Sequence, residues 1–227
     1  MVIYMQELFD RLNIVPKNMK LYEQAFIHTS YAYENDLDYS YETLEFLGDT
    51  IVDLVVSDYL YRKKDFKEGE MTKIRASYVC ENALYEYAID LGFNNYVKLG
   101  NGELNTGGSY KKAILADIFE ALMAAIYLDL GFEKVKEVAL SIIVPYIENE
   151  DILFFSDYKS ELQEVVQDLQ KSLTYELINE EGPAHDKKFK MAVKIDNIVY
   201  GEGVGHTKKE AEQEAAKSAL KKLVKDK

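Results

Sequence analysis

Two short segments carry acidic side chains where such side chains are costly. In Tyr41–Leu54, YETLEFLGDTIVDL, residues Glu42, Glu45 and Asp49 stand at i, i+3 and i+7, which stacks all three on one face of a helix. Leu44, Phe46, Leu47, Ile51 and Val52 surround them. In ILADIFEALMAAIYL, Asp117 and Glu120 are i, i+3 neighbours inside one of the most apolar helical patterns of the chain. Like charges one turn apart repel, and burial strips their hydration, so neither group is stable without compensation. Either the carboxylates pair with basic residues, or they surround a hard divalent cation. Lys111 and Lys112 are the bases within helical reach of the second pair, and they lie towards the helix start. Oxygen-only ligand sets suit Mg²⁺ or Mn²⁺, and such an ion activates water and stabilises charge on a phosphodiester. Contact between the two helices is assumed at this level. Asp53 and Asp129 read as solvated helix edges.

A second constellation lies near the C-terminus. Thr207-Lys208-Lys209-Glu210 fits a capping box at the head of the last helix. Free backbone N–H groups, the positive helix end and two lysines together make a phosphate clamp, whereas a solvated helix start is the usual fate of a Lys-Lys pair. Other chemistries are poorly supplied. His185-Asp186 is the dipeptide of one class of metal phosphohydrolase, but it follows Gly-Pro in a loop, and only His28 and His206 remain as further imidazoles. His28 reads as a structural helix-end residue. The Gly-rich stretch 100–108 lacks the Gly-Lys-Ser/Thr ending of a nucleotide-binding loop. Cys80, the single cysteine, lies in a helical pattern and reads as a buried, inert thiol.

The elements that must position these groups fall into two sets. Residues 1–149 read as all helix, with apolar spacing in Tyr4–Ile14, Met19–His28, Tyr41–Tyr61, Glu70–Leu91, Tyr110–Leu130 and Glu133–Ile147. Gly92 and Gly131 serve as stops. Breaks fall at Pro16, the Tyr-rich stretch 29–40, the loop 62–68 and the Gly/Asn loop 100–109. After a connector at 150–157 the periodicity changes. A helix over Lys159–Gln170 precedes three strands, Leu173–Ile178, Phe189–Ile195 and Ile198–Gly203, the last two joined by Asp196-Asn197. A final helix runs from about Lys208 to Val224. The fold class expected is therefore an all-α domain followed by a small α+β domain of order α-β-β-β-α, over residues 158–227.

Charge divides the same way. The net charge of -13 argues at face value against nucleic acid. Residues 156–227, however, hold 13 Lys against 14 acidic residues, while residues 1–155 hold 14 basic against 26 acidic ones. The excess negative charge belongs to the half that carries the costly carboxylates. The longest clean apolar run, Ala121 to Leu128, is far too short to span a membrane. The acidic N-terminal stretch and the lone cysteine point to a reducing, cytoplasmic setting with no membrane partner.

YETLEFLGDTIVDLVV resembles the signature helix of the ribonuclease III catalytic domain, where an ERLEFLGDAVL-like string is typical. AFIHTSYAYEN, EGEMTKIRASYV and GGSYKKAILADIFEALMAAIYLDLGF follow the family's order. SELQEVVQ, GPAHDKKF and GEGVGHTKKEAEQEAAKSAL resemble a double-stranded-RNA-binding domain. The resemblance implies a metal-dependent endoribonuclease that cuts double-stranded RNA. It implies Glu45, Asp117 and Glu120 as ligands of Mg²⁺, or of Mn²⁺ in its place. Catalytic roles fall to Asp49, orienting water, and to Glu120, with Glu42 further out. RNA contacts are implied for Gln163, for the loop Gly182, Pro183 and His185, and for Thr207, Lys208 and Lys209. A homodimer with Phe46 at its interface is implied too, as are products with 5′-phosphates, 3′-hydroxyls and short 3′ overhangs. Processing of ribosomal RNA precursors and messenger RNA hairpins is the implied role. Thr43 stands where the family usually has Arg, and Ser109 and Tyr110 replace usual basic residues, which is expected to weaken helix-loop contacts. The rival reading is a pure RNA-binding module whose first domain only dimerises; metal-dependent duplex cleavage separates the two.

Overall fold

A helix that is apolar on nearly every side has to be covered on nearly every side, and the segment Lys112–Leu130, broken by Asp117 and Glu120 and exposed only towards its ends, is close to that case. The computed structural model describes residues 2–149, 154, 158–183 and 187–225. The chain divides into two units, Met1–Phe155 and Ser156–Lys227. The first contains α1 (Val2–Arg11), α2 (Met19–Ala25), α3 (Thr29–Glu34), α4 (Glu42–Lys63), α5 (Glu68–Tyr78), α6 (Glu81–Asp90), α7 (Asn101–Asn105), α8 (Lys112–Leu130) and α9 (Phe132–Ile147). Helix α8 is the axis of the unit, packed against α2, α4, α6 and α9. Its core-facing residues run from Ile114 through Phe119 and Leu122 to Ile126, all buried.

Several boundaries differ from those read off the sequence. The single pattern Glu70–Leu91 is two helices, because Val79 and Cys80 leave helical backbone geometry between them. The Tyr87 hydroxyl donates to the Tyr78 carbonyl at 3.1 Å across the junction. Cys80 therefore sits half-buried at a helix junction and not inside a helix; its Sγ–H points to the Ser77 carbonyl at 3.3 Å. The stretch 29–40, expected as a break, contains α3, capped by His28, whose Nδ1 accepts from the Ser30 N–H at 3.1 Å. The loop 100–109 likewise holds the short α7. Gly92 and Gly131 both adopt positive φ at helix ends, as stop glycines should. Asp129 is no solvated edge. It accepts from the Lys17 N–H at 2.8 Å and from the buried Tyr22 hydroxyl at 3.0 Å, fastening the start of the chain to the end of α8. Thr43, in place of the usual Arg, accepts from the Gln24 amide at 3.1 Å, and that amide also donates to the Ser40 carbonyl at 2.9 Å, so this helix-loop junction is tied in another way.

The second unit is the expected α-β-β-β-α arrangement: α10 (Tyr158–Asp168), β1 (Leu173–Glu181), β2 (Lys188–Ile195), β3 (Ile198–Gly205) and α11 (Lys208–Lys225). The three strands form one antiparallel sheet in the order β1-β2-β3. Asp196 and Asn197 both take positive φ, as a tight two-residue hairpin turn requires. The Asp196 carboxylate also accepts from the Ser172 N–H and hydroxyl, and those bonds hold its pKa below the usual carboxylate range. Leu162 and Val166 of α10, Val193 and Ile195 of β2, and Ala215, Ala216 and Ala219 of α11 form the core.

Helix α11 reaches β3 only because of Gly201, Gly203 and Gly205, which alternate along the strand and share one face. A Cβ on Gly203 would stand 2.2 Å from the Ala215 nitrogen and 2.4 Å from the Ala211 carbonyl oxygen. Backbone cannot yield as a flexible side chain does. Gly203→Ala is expected to destabilise this unit by about 1–3 kcal/mol, the usual cost of overpacking. Urea denaturation should show the loss in the transition of the second unit while that of the first stays in place.

Candidate active site

The acid-bearing helices α4 and α8 do meet. They cross at Gly48, where an added Cβ would lie 1.9 Å from the carbonyl oxygen of Glu120. One residue type makes that approach possible. It sets Glu45, one turn before Gly48, beside Asp117 and Glu120. Carboxylate oxygens of these three all lie within 4.8 Å of one another, a spacing at which one cation can bridge them. All three side chains are half-buried.

Crowding of like charge shows in their proton affinities. Burial, followed by repulsion from Asp49, Asp117, Glu45 and Asp53, pushes the Glu120 carboxyl up to about 8. Glu45 is raised by burial and then by Asp117, Glu42 and Asp49. Asp117 is raised chiefly by burial, with the Tyr41 hydrogen bond opposing the shift. Among the described residues no lysine or arginine is a leading influence on any of the three. Of the two remedies open at the sequence level, pairing with bases is therefore not the one used here. Three acidic oxygen donors with raised pKa values, opposed only by the Tyr41 hydrogen bond and by His28 at Asp117 among the leading influences, suit a hard divalent cation.

Asp49 and Glu42 lie on the same face of α4 but are exposed, and neither belongs to the close trio. Their charges still reach it: Asp49 acts on Glu45 and Glu120, and Glu42 acts on Glu45 and Asp117. Asp53, read as a solvated edge, is half-buried and also acts on Glu120. Two further residues escaped the sequence reading. Gly48 could have been noticed, since a glycine inside a helix costs about 1 kcal/mol relative to alanine and needs a reason. Tyr41 had no such signal. It is 4% exposed, and its hydroxyl donates to Asp117 Oδ2 at 2.9 Å. Burial and the neighbouring Asp117 raise its pKa, which keeps the hydroxyl a donor. His28 packs against the Tyr41 ring and is lowered below its usual value by burial.

Phe46 does not fill the core of this chain; it is 82% exposed, one residue from Glu45. In the second unit, Gln163 lies exposed on α10. Gly182, with φ +94°, and Pro183 are exposed after β1, while His185 lies outside the described residues. Thr207, Lys208 and Lys209 are exposed at the head of α11. The capping box is displaced by one residue in its second half. Thr207 Oγ1 accepts from the Glu210 N–H at 3.1 Å as expected, but the Glu210 carboxylate takes the His206 N–H at 2.8 Å.

A helical unit built round a carboxylate trio, followed by an α-β-β-β-α unit with exposed lysines at a helix head, defines a two-domain nuclease with its own RNA-binding module. The family model described as Ribonuclease-III-like matches residues 18–147, and that of the Double-stranded RNA binding motif matches residues 158–223. Ribonuclease 3 of Onion yellows phytoplasma (strain OY-M) is 46% identical over 223 residues, covering 98% of this chain and 92% of its own length. Ribonuclease 3 of Listeria monocytogenes serovar 1/2a is 44% identical over 223 residues, covering 96% of this chain and 97% of its own. Among solved structures, the nuclease domain of ribonuclease III from Campylobacter jejuni, described for flexibility in a region involved in dimer formation, superposes with TM-score 0.59. It is 36% identical and covers 65% of this chain and 99% of its own. The chain belongs to the ribonuclease III family. It is an endoribonuclease that acts on double-stranded RNA.

The raised Glu120 pKa has a consequence for stability. Its folded value of about 8 lies above the ordinary glutamate value of 4.5, so the metal-free fold keeps a proton that the unfolded chain has lost. That contribution is full below the unfolded pKa and is lost as pH rises towards 8. Half-buried His28 acts in the opposite sense, but only as pH falls below about 6.5. Between pH 6.5 and 8 the metal-free protein should therefore lose thermal stability, and Glu120→Gln should lose less. Melting curves in chelator at stepped pH test this; parallel slopes for both proteins would contradict it.

Proposed function

We propose that this chain hydrolyses both strands of an RNA duplex in a divalent-metal-dependent reaction, with Glu45, Asp117 and Glu120 holding the ion. The observation that carries the reading is the close carboxylate trio, half-buried and with no lysine or arginine among its leading influences in the described residues. Mg²⁺, for which Mn²⁺ can substitute, supplies Lewis acidity to the phosphodiester and lowers the pKa of a water molecule. Asp49, exposed at the edge of the trio, accepts a hydrogen bond from the attacking water and orients it. Glu120 takes part in the same proton handling, and Glu42 adds negative charge further out. Water adds to phosphorus and the bond to the 3′ oxygen breaks, leaving a 5′-phosphate and a 3′-hydroxyl.

Residues 1–149 form the catalytic domain and residues 158–227 the RNA-binding domain, joined by 150–157. Gln163 and the loop of Gly182, Pro183 and His185 contact successive minor grooves of the A-form duplex, read by shape and by 2′-hydroxyls. Thr207, Lys208 and Lys209 hold the phosphates between them at the positive end of α11. Such contacts position the duplex without reading sequence. The second unit, with lysine and acid nearly balanced, offsets the repulsion between RNA and the acidic first unit.

One chain carries one trio, and a duplex has two strands to cut. A two-fold dimer presents the same site twice in antiparallel sense, matching antiparallel strands and giving short 3′ overhangs. Exposed Phe46 beside Glu45 is the apolar contact of that dimer. The setting is the cytoplasm, and the substrates are ribosomal RNA precursors and messenger RNA hairpins. Double-stranded RNA and a second copy of the chain are the partners; no helix among the described residues is long and apolar enough to cross a membrane.

The decisive experiment is incubation of an end-labelled duplex with and without Mg²⁺, followed by mapping of the ends. Glu120→Gln should slow cleavage about 100-fold or more, as loss of several kcal/mol of metal-supplied stabilisation requires. Duplex binding should survive in that variant, and Asp53→Ala should still cut. A Glu120→Gln protein that cuts at near wild-type rate would refute the site assignment.

Phe46→Ala should weaken self-association about 30-fold, the usual effect of removing an aromatic anchor worth roughly 2 kcal/mol. Sedimentation across micromolar concentrations reads this directly. A wild-type monomer that releases both cut strands in one binding event would rule out the dimer.

A further inference from the structure

Tyr41 is joined to both acid-bearing helices at once. Its backbone carbonyl accepts the Glu45 N–H at 2.9 Å and the Leu44 N–H at 2.8 Å, closing the first turn of α4. Its backbone N–H donates to the Ile27 carbonyl at 2.9 Å, next to the bridge between Ile27 and Lys98. Its hydroxyl crosses to α8 and donates to Asp117 Oδ2 at 2.9 Å. The ring is buried against His28, so it has little freedom to swing away. One residue thus closes the start of the helix that carries Glu45 through its backbone and, through its side chain, holds the Asp117 carboxylate.

We propose that Tyr41 is a positioning residue for the metal centre: its hydroxyl locks the Asp117 carboxylate in the orientation in which it shares a cation with Glu45 and Glu120. The inference rests on the metal reading of the trio given above. A carboxylate that is held by one fixed donor loses less rotational freedom when it takes up a cation, and it faces its two acidic neighbours without turning from them. Partners of this kind, one bond behind a ligand, typically govern metal affinity by a factor of about 10–100. Tyr41 acts on the site through the carboxylate of Asp117, so the effect falls on ion binding and not on the chemical step.

Tyr41→Phe removes the hydroxyl and keeps the buried ring. Tyr22→Phe is the matched control, because Tyr22 is also a buried tyrosine donating to a carboxylate of α8, Asp129, outside the trio. Mn²⁺ binding to the full chain is followed by the electron-paramagnetic signal of the free ion, without RNA. Tyr41→Phe should bind Mn²⁺ roughly 10-fold more weakly, while Tyr22→Phe binds as wild type does. In cleavage assays the Mg²⁺ concentration at half-maximal rate should rise by a similar factor, with kcat at saturating Mg²⁺ within about twofold of wild type. Equal Mn²⁺ affinity in Tyr41→Phe and wild type overturns the inference and leaves the metal reading standing. Equal weakening in both variants also overturns it, since general loosening of the fold would then be the cause. A wild-type chain that binds no Mn²⁺ overturns the metal reading and the inference with it.

Discussion

The backbone contact between Gly48 and Glu120 is the constraint on which the site depends. With a Cβ at position 48 standing 1.9 Å from the Glu120 carbonyl oxygen, no side chain fits between α4 and α8 at that point. The two helices can therefore approach until carboxylates projecting from each come within bridging distance. Helix α8 accepts so close a neighbour because it is buried on nearly every side and held from three other directions by α2, α6 and α9. The site is placed by the best-packed part of the fold, where small displacements cost most. The RNA-binding unit uses the same device between unlike elements, seating α11 on β3 through alternate glycines.

Close approach solves a geometric problem and creates an electrostatic one. Three carboxylates share a half-buried space, and the further acids Asp49, Glu42, Asp53 and Glu81 also act on it, with His28 opposing them at Asp117. Without a cation the protein responds by holding protons, most plainly on Glu120 at about 8. Burial of unpaired charge of this kind opposes folding, and a site that opposes folding is kept for what it binds. Elsewhere the first unit pairs its acids normally: Asp58 with Arg62 and Lys136, Glu103 with Lys111, Glu148 with Lys63. Lysines are available in this unit and are spent away from the trio.

Division of labour between the units follows from the same charges. An acidic cluster strong enough to attract a divalent cation also repels the RNA backbone. The separate second unit has a near-even balance of lysine and acid and exposes lysines at a helix head, where anions are favoured. Phe154, in the connector, packs on the rings of Tyr78, Tyr87 and Tyr146, so this part of the joining segment belongs with the first unit.

Sequence alone determined what depends on local order. Helical and strand periods, the stop glycines 92 and 131, the Asp196-Asn197 turn and the two acidic pairs were all legible, because each is a relation between residues a few positions apart. Where a local pattern was continuous but the chain turned, it misled: Glu70–Leu91 reads as one helix, but the chain breaks at Val79 and Cys80, where the Tyr87 hydroxyl reaches the Tyr78 carbonyl. The tie from Asp129 to Tyr22 and Lys17 spans more than a hundred residues and leaves no local trace. Tyr41 is the same case. Nothing in its neighbourhood distinguishes it from the other 17 tyrosines, and its role arises only when α4 and α8 cross and its hydroxyl meets an aspartate 76 residues away. Which of the acids come together was likewise decided in three dimensions: helix-face spacing groups Glu42, Glu45 and Asp49, but the Gly48 crossing selects Glu45 alone to join Asp117 and Glu120.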